Sequence, residues 1–372
     1  MTRRFAELRG QGAVVAALDR ALNENRLAGA LLFHGPDGIG KLTAAMALAR
    51  ELLCAAGSAG ACSACSSCRK LDAAALLHPD LTVLHPQGGK EEPAARPSEE
   101  KASAALDLHA LQDEVRRHPA WRIPAEMARR RLAQLYLSPS TSPRRLLLVL
   151  SAERLNEESA NALLKVLEEP PARAVILLLT ENAAALLPTI RSRCRAFRFA
   201  TLARDEIRRW LREVDPGLPE GQAALAAALS GGRPGKALEL APDPQRYLQR
   251  RSRLGNILAG AVEAGASPAA ALSATAALFP EDEATDETLS MLADLVRDAM
   301  LLGSGCDMAV LTHPDSARSE QRLGVSPYRA AELLGRLERT REDLRRFVNR
   351  QVALESLLLD LVNPPTPATA RS

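Results

Sequence analysis

Aromatic residues are scarce: two Trp, three Tyr and six Phe make up only 3% of the 372 residues. So few rings exclude a base-stacking platform of the single-strand-binding kind. Net charge is also low, +3, which argues against a polyelectrolyte partner held by bulk charge. Two local clusters, Arg129-Arg130-Arg131 and Arg246/Arg250/Arg251/Arg253, read either as phosphate contacts or as solvated helix faces. No stretch approaches about 18 uninterrupted apolar residues, so no membrane span is expected. The opening MTRRFAELRG lacks the apolar run and cleavage site of a signal peptide. A cytoplasmic location with reduced thiols is therefore expected. The six histidines are scattered, and no Ser/His/Asp arrangement stands out.

Apolar residues at 47% and charged residues at 25% describe a globular chain of two to three domains. Four short apolar runs read as strands: Ala30 to His34, Leu81 to Leu84, Leu146 to Leu150 and Ala174 to Leu179. LLLVL, from 146 to 150, has the continuous apolarity of a parallel strand buried on both faces. The strands alternate with helical patterns, which predicts a doubly covered parallel sheet. Residues 107–137 read as mainly helical. Strand-like runs stop at Leu202. Residues 203–240 read as a small helical unit bent at Gly231-Gly232-Arg233-Pro234-Gly235, and 244–362 as entirely helical. The last long pattern, from Leu333 through Leu337, Leu344, Phe347, Val348 and Leu354 to Leu361, repeats at three- and four-residue steps and ends at Asn363-Pro364-Pro365.

Between the first strand and the helix after it, Gly35 to Thr43 read GPDGIGKLT. This is the Gly-x-x-x-x-Gly-Lys frame of a phosphate-binding loop, with Gly35, Gly38, Gly40, Lys41 and Thr43 as candidate cradle residues. The helix N-terminus behind it faces the phosphates. Two parts are missing. The residue after Lys41 should carry the hydroxyl that holds magnesium, and it is Leu42. The strand LLLVL should be followed by carboxylates that orient magnesium and water, and it is followed by Ser151-Ala152. Glu153 comes next, where a one-residue offset is expected to turn it away. Binding of ATP or ADP phosphates stays open, with a purely structural turn as the alternative. Hydrolysis is expected to be lost.

Cys54, Cys62, Cys65 and Cys68 follow the spacing Cys-x7-Cys-x2-Cys-x2-Cys. Four thiolates within fifteen residues suit a closed tetrahedral zinc site of structural kind. Cys306 is expected to be a small buried hydrophobe.

Asn161 to Pro171 read NALLKVLEEPP, on a helix with Asn156 as candidate N-cap. Thr189 to Cys194 follow as TIRSRC. Together with Gly10-Gln11, the P-loop and the four cysteines, these motifs resemble the AAA+ clamp-loader subunits of DNA replication over residues 5–240. The departures at Leu42, Ser151, Ala152 and Gly235, the last at the lid position that carries Arg in motor subunits, resemble the delta-prime class of bacterial DNA polymerase III clamp loaders. The resemblance implies an α/β AAA+ module over 1–200, P-loop NTPase-like, with a parallel sheet between helices and the zinc module at 54–68; the charged, Gly- and Pro-rich stretch 87–103 reads from its composition as a disordered insertion. The resemblance further implies a helical lid over 201–242 and an all-α collar over 243–363; the tail 364–372 reads from its sequence as disordered. Arg193, flanked by Ser192 and Cys194, would be an arginine finger for a neighbouring subunit's ATP. Implied partners are the gamma/tau motor subunits and the delta subunit, and through them the sliding clamp and primed DNA. The chain would be a non-catalytic subunit of a DNA-directed DNA polymerase holoenzyme. Two alternatives remain: an ATP-hydrolysing motor subunit of gamma/tau type, and a stand-alone zinc-dependent DNA-binding protein.

Overall fold

The computed structural model describes residues 3–56, 61–72, 78–88, 107–118, 121–263, 267–280, 285–306, 326–345 and 348–362. The tail 364–372 and most of the insertion 87–103 lie outside the described residues. Gln87, at the insertion's start, is ordered in an antiparallel bridge to Arg122. The chain divides into two units, 1–214 with 232–237 and 215–231 with 238–372.

The first unit contains, in order, α1 (Gly12–Asn23), β1 (Ala30–His34), α2 (Lys41–Leu53), α3 (Ser66–Asp72), β2 (Leu81–Leu84), α4 (Leu108–Arg117), α5 (Ala125–Ala133), β3 (Arg145–Val149), α6 (Glu157–Glu168), β4 (Ala174–Thr180), α7 (Pro188–Arg193), β5 (Arg195–Arg198) and α8 (Arg204–Val214). The five strands form one sheet in the order β2-β3-β4-β1-β5. Every pairing is parallel: Ala30 lies beside Ile176, Leu146 beside Val175, Leu81 beside Leu146 and Leu31 beside Arg195. Parallel strands hide both faces, which is why β3 and β4 are buried along their whole length.

Strand alternation sorts the side chains. Leu32, Leu147, Val149, Ile176 and Leu178 share a core with Met127 and Leu132 of α5, Leu163 and Val166 of α6, and Ile190 of α7. The intervening residues Leu31, Phe33, Leu146, Leu148 and Leu177 are equally buried. Phe33 meets Phe197 edge-on at 5.6 Å and Phe199 at 5.2 Å. Gln11, only 4% exposed, ties α1 to the end of β5. Its amide donates to the Ala200 carbonyl at 2.8 Å and accepts from the Ala200 N–H at 3.1 Å. The P-loop-type α/β expectation is therefore met.

The second unit holds α9 (Glu220–Leu229), α11 (Pro244–Glu263), α12 (Pro268–Leu278), α13 (Thr285–Gly303), α14 (Pro327–Arg345) and α15 (Arg350–Val362), and the boundary falls inside α10 (Pro234–Leu240). Its regular elements among the described residues are all helical, as expected. Three readings need correction. The apolar pattern from 333 to 361 is two helices, because the Asn349 carboxamide caps a new start by accepting from the N–H groups of Gln351 and Val352 at 3.0 and 3.2 Å. Arg251 is neither a phosphate contact nor solvated. It is fully buried and pairs with buried Asp298 at 2.9 Å, joining α11 to α13. Cys306 is exposed, beyond Gly305, whose φ of +73° ends α13.

Candidate functional site

The stretch 35–43 joins β1 to α2, and the loop's own carbonyls hold its lysine. Gly35 has φ +149°, and a Cβ there would sit 2.5 Å from the Phe199 carbonyl oxygen. Gly38 has φ +70°, and its carbonyl accepts a 2.7 Å hydrogen bond from the N–H of Gly235. A Cβ on Gly235 would lie 3.0 Å from Gly38, so a larger residue there would push the two backbones apart by a few tenths of an ångström. Gly40 precedes the first residue of α2, which is Lys41. The Lys41 ammonium, at 7% exposure, donates to the carbonyls of Gly35 at 2.6 Å and Pro36 at 2.8 Å. Burial lowers its pKa, although the negative charges of Glu181, Asp37 and Glu153 pull the other way. Asp37, on the loop itself, is held by Arg116 of α4 at 2.7 Å, and Arg116 also grips Asp113 at 2.6 Å. Leu42 is buried at 4% exposure, and Thr43 follows it on α2.

At the end of β3, Ser151 adopts a left-handed φ of +50° and Ala152 is fully buried. Glu153 remains within electrostatic range of Lys41. The one-residue offset therefore does not remove it from the loop's surroundings. Its Oε2 is buried without a hydrogen bond among the described residues. Arg154 turns away to donate to the carbonyls of Val115 and His118 at the end of α4, at 2.8 and 2.9 Å.

The four cysteines converge as the spacing requires. Their sulfurs all lie within 4.8 Å of one another. Tetrahedral ligation at about 2.3 Å per sulfur puts sulfurs about 3.8 Å apart, and Cys62 Sγ lies 3.9 Å from Cys68 Sγ. The N–H groups of Cys65 and Cys68 donate to the sulfurs of Cys62 and Cys65, at 3.3 and 3.4 Å. Such bonds favour thiolate. The Cys68 N–H, with further help, brings the Cys65 thiol down to about 6, whereas burial pushes Cys68 up to about 12. One thiol is thus already poised to ionise, and a cation would drive off the others' protons. The donor set fits a closed thiolate metal site.

Sequence reasoning missed the network that anchors this module. The Asp80 carboxylate, 1% exposed, accepts from the N–H groups of Ser140, Thr141 and Ser142 at 2.7, 2.8 and 2.9 Å. Ser142 Oγ donates to the Leu53 carbonyl at 2.9 Å, one residue before Cys54, and lies 3.2 Å from His78 Nε2. This Ser/His/Asp set is structural. His78 Nδ1 accepts from the Asp80 N–H at 3.1 Å. The remaining proton therefore sits on Nε2 and points at Ser142, the wrong tautomer for a base.

Arg193 ends α7. Its guanidinium donates to the Thr189 carbonyl at 3.1 Å and to Glu168 Oε1, the last residue of α6, at 2.9 Å. Its side chain stays 35% exposed. Ser192 Oγ also donates to the Thr189 carbonyl, at 3.1 Å. Cys194 packs against the core below α7, and burial pushes its thiol up to about 11. It anchors the motif and is no nucleophile.

Residues 10–203 match the family model described as DNA polymerase III, delta subunit, and residues 245–363 match the model described as DNA polymerase III, delta subunit, C terminal. The chain is 36% identical over 216 residues to DNA polymerase III subunit delta' of Escherichia coli, across 57% of this chain and 61% of that one. It is 31% identical over 205 residues to the delta' subunit of Bacillus subtilis, across 55% and 52%. DNA polymerase III subunit gamma/tau of Mycobacterium bovis is 30% identical over 213 residues, across 56% of this chain and 31% of that one. The match thus spans about half to three fifths of the delta' relatives' length. Among solved structures, the DNA clamp loader delta protein of Bacillus subtilis is 12% identical, covers 94% of this chain and 99% of its own, and has a TM-score of 0.35. The first family model takes in the P-loop, all four cysteines, the α6 motif and Arg193, and it spans more than half of the chain, so the chain belongs to the DNA polymerase III delta-subunit family.

Proposed function

We propose that this chain is a delta-prime-type stator of a bacterial clamp loader, working in the cytoplasm, and that it hydrolyses no ATP itself. One observation carries the reading: the chain satisfies its own P-loop lysine with loop carbonyls while it presents Arg193 on an exposed helix end. A phosphate cradle closed from within and an arginine open to a neighbour describe a subunit that acts on another subunit's nucleotide. Arg193 stabilises the charge that develops on the transferred phosphoryl group there. Ser192 and Cys194 fix the turn that carries it. Residues 1–200 form the AAA+ module, 201–242 the lid and 243–363 the collar. The collar assembles with those of three gamma/tau motor subunits and one delta subunit, and the complex opens the sliding clamp and places it on primed DNA. Cys54, Cys62, Cys65 and Cys68 hold one structural zinc, which the all-sulfur donor set favours.

The test is ATP turnover by the reconstituted complex with clamp and primed DNA, wild type against Arg193→Ala. An arginine finger is worth roughly 10³–10⁵ in kcat at the site it serves. A large drop with assembly intact, and no turnover by the chain alone, supports the reading. Unchanged turnover makes Arg193 structural. The intact Lys41 keeps a second reading in view, an ATP-hydrolysing motor subunit. Hydrolysis by the isolated chain would establish that one instead.

A further inference from the structure

Arg193 has two tethers, and they come from different elements. The Thr189 carbonyl belongs to the first turn of the arginine's own helix, and Glu168 closes α6. The backbone that carries Glu168 is fixed, although its side chain is 54% exposed. Asn156 caps the other end of α6, its carboxamide accepting from the Ser159 N–H at 2.8 Å. Leu163, Val166 and Leu167 bury the helix's inner face. Pro170 and Pro171 stop it just past Glu168. We propose that Glu168 is the positioning residue for Arg193, holding one edge of the guanidinium so that the other edge faces the adjacent subunit.

Donor arithmetic supports this. A guanidinium has five N–H groups in a planar fork, and these two tethers take one from each terminal nitrogen. The donors left over can meet an anion without release of either tether. An untethered arginine samples many rotamers and must be ordered anew for each turnover. An exposed ion pair contributes little to folding, so removal of Glu168 leaves the fold in place. This inference rests on Arg193 acting in trans, as proposed above.

The experiment uses the reconstituted complex with clamp and primed DNA and reads kcat, the ATP concentration for half-saturation, and assembly by size-exclusion chromatography. The variants are Glu168→Ala, Glu168→Gln and Arg193→Ala, together with Glu168→Ala in the Arg193→Ala background. Glu168→Ala lowers kcat about tenfold with half-saturation unchanged, inside the roughly 10²-fold that a 1 Å misplacement costs. Glu168→Gln, which keeps an acceptor oxygen at the same reach, recovers most of the rate. In the Arg193→Ala background, Glu168→Ala has no further effect. If Arg193→Ala lowers turnover but Glu168→Ala matches or exceeds wild type, or if the two losses multiply, the positioning role is overturned and the finger stands. If Arg193→Ala itself changes nothing, both fall.

Discussion

The Asp80 carboxylate accepts from three backbone N–H groups and the Thr141 hydroxyl, with Arg145 at 3.7 Å. Burial alone would raise its pKa, but these donors outweigh burial and hold the carboxyl below its ordinary value. The sign follows from linkage. A depressed folded-state pKa stabilises above the unfolded value, near 3.9, and the stabilisation is lost as pH falls through the folded value. Asp80→Asn, which turns two donors toward a ring of donors, should destabilise by about 2 kcal/mol at pH 7. In urea titrations the gap from wild type should stay constant from neutral pH to about pH 5 and shrink below about pH 4. A gap that is flat through acid would mean the carboxylate's charge is not what holds the loop. None of this was legible in the sequence, because a lone Asp after His-Pro carries no periodic signal. Its partners lie sixty residues on, in a Ser/Pro/Thr stretch that reads only as a loop. The P-loop lysine and the cysteines were legible, because their spacing is local and the chemistry fixes it.

At the scale of elements, the apolar runs marked four strands to within a residue, since a parallel strand buried on both faces must be apolar throughout. The fifth strand, Arg195–Arg198, escaped. It is an edge strand with only Phe197 buried, so three of its four side chains carry no core signal. The break between α14 and α15 escaped because both helices present apolar residues at the same step. The cysteine module is an element in its own right. Cys54 follows the end of α2, and Cys68 lies in α3. Ser142 fastens α2's last carbonyl to the start of β3, so loss of the metal should loosen this corner of the sheet unit first. Treatment with a strong chelator at neutral pH should release about one zinc per chain, the count for a single four-sulfur site. Amide exchange should then quicken across residues 54–72 and 138–143 while α6 and β4 stay protected. Cys65→Ser should reproduce the effect without chelator. Retained protection after complete metal loss would mean the sulfurs' own hydrogen bonds suffice to hold the module.

For the whole molecule, the departures from the P-loop ATPase motif are spread over three stretches distant in sequence. Leu42 removes the magnesium hydroxyl, Ser151-Ala152 removes the strand-end carboxylates, and Gly235 lays backbone against Gly38. The first two were readable from the motif frame. The third was readable only as a missing arginine, and the structure adds that the position is filled by a backbone contact. Repairing the motif alone is therefore expected to be insufficient. Leu42→Thr with Ser151→Asp should leave the isolated chain without measurable ATP hydrolysis. Lys41 still has the Gly35 and Pro36 carbonyls as partners, and the Gly235 N–H still occupies the Gly38 carbonyl. Ala152 is fully buried, so completing the acidic pair with Ala152→Glu would force a carboxylate into the core, at a cost that unfolds the site before it serves it. The double variant should also lose about 2 kcal/mol from truncation of buried Leu42, visible as a lower melting temperature. Turnover appearing in that variant, at any rate above the parent chain, would mean that the closed loop opens readily to nucleotide and that the missing magnesium ligands were the only barrier.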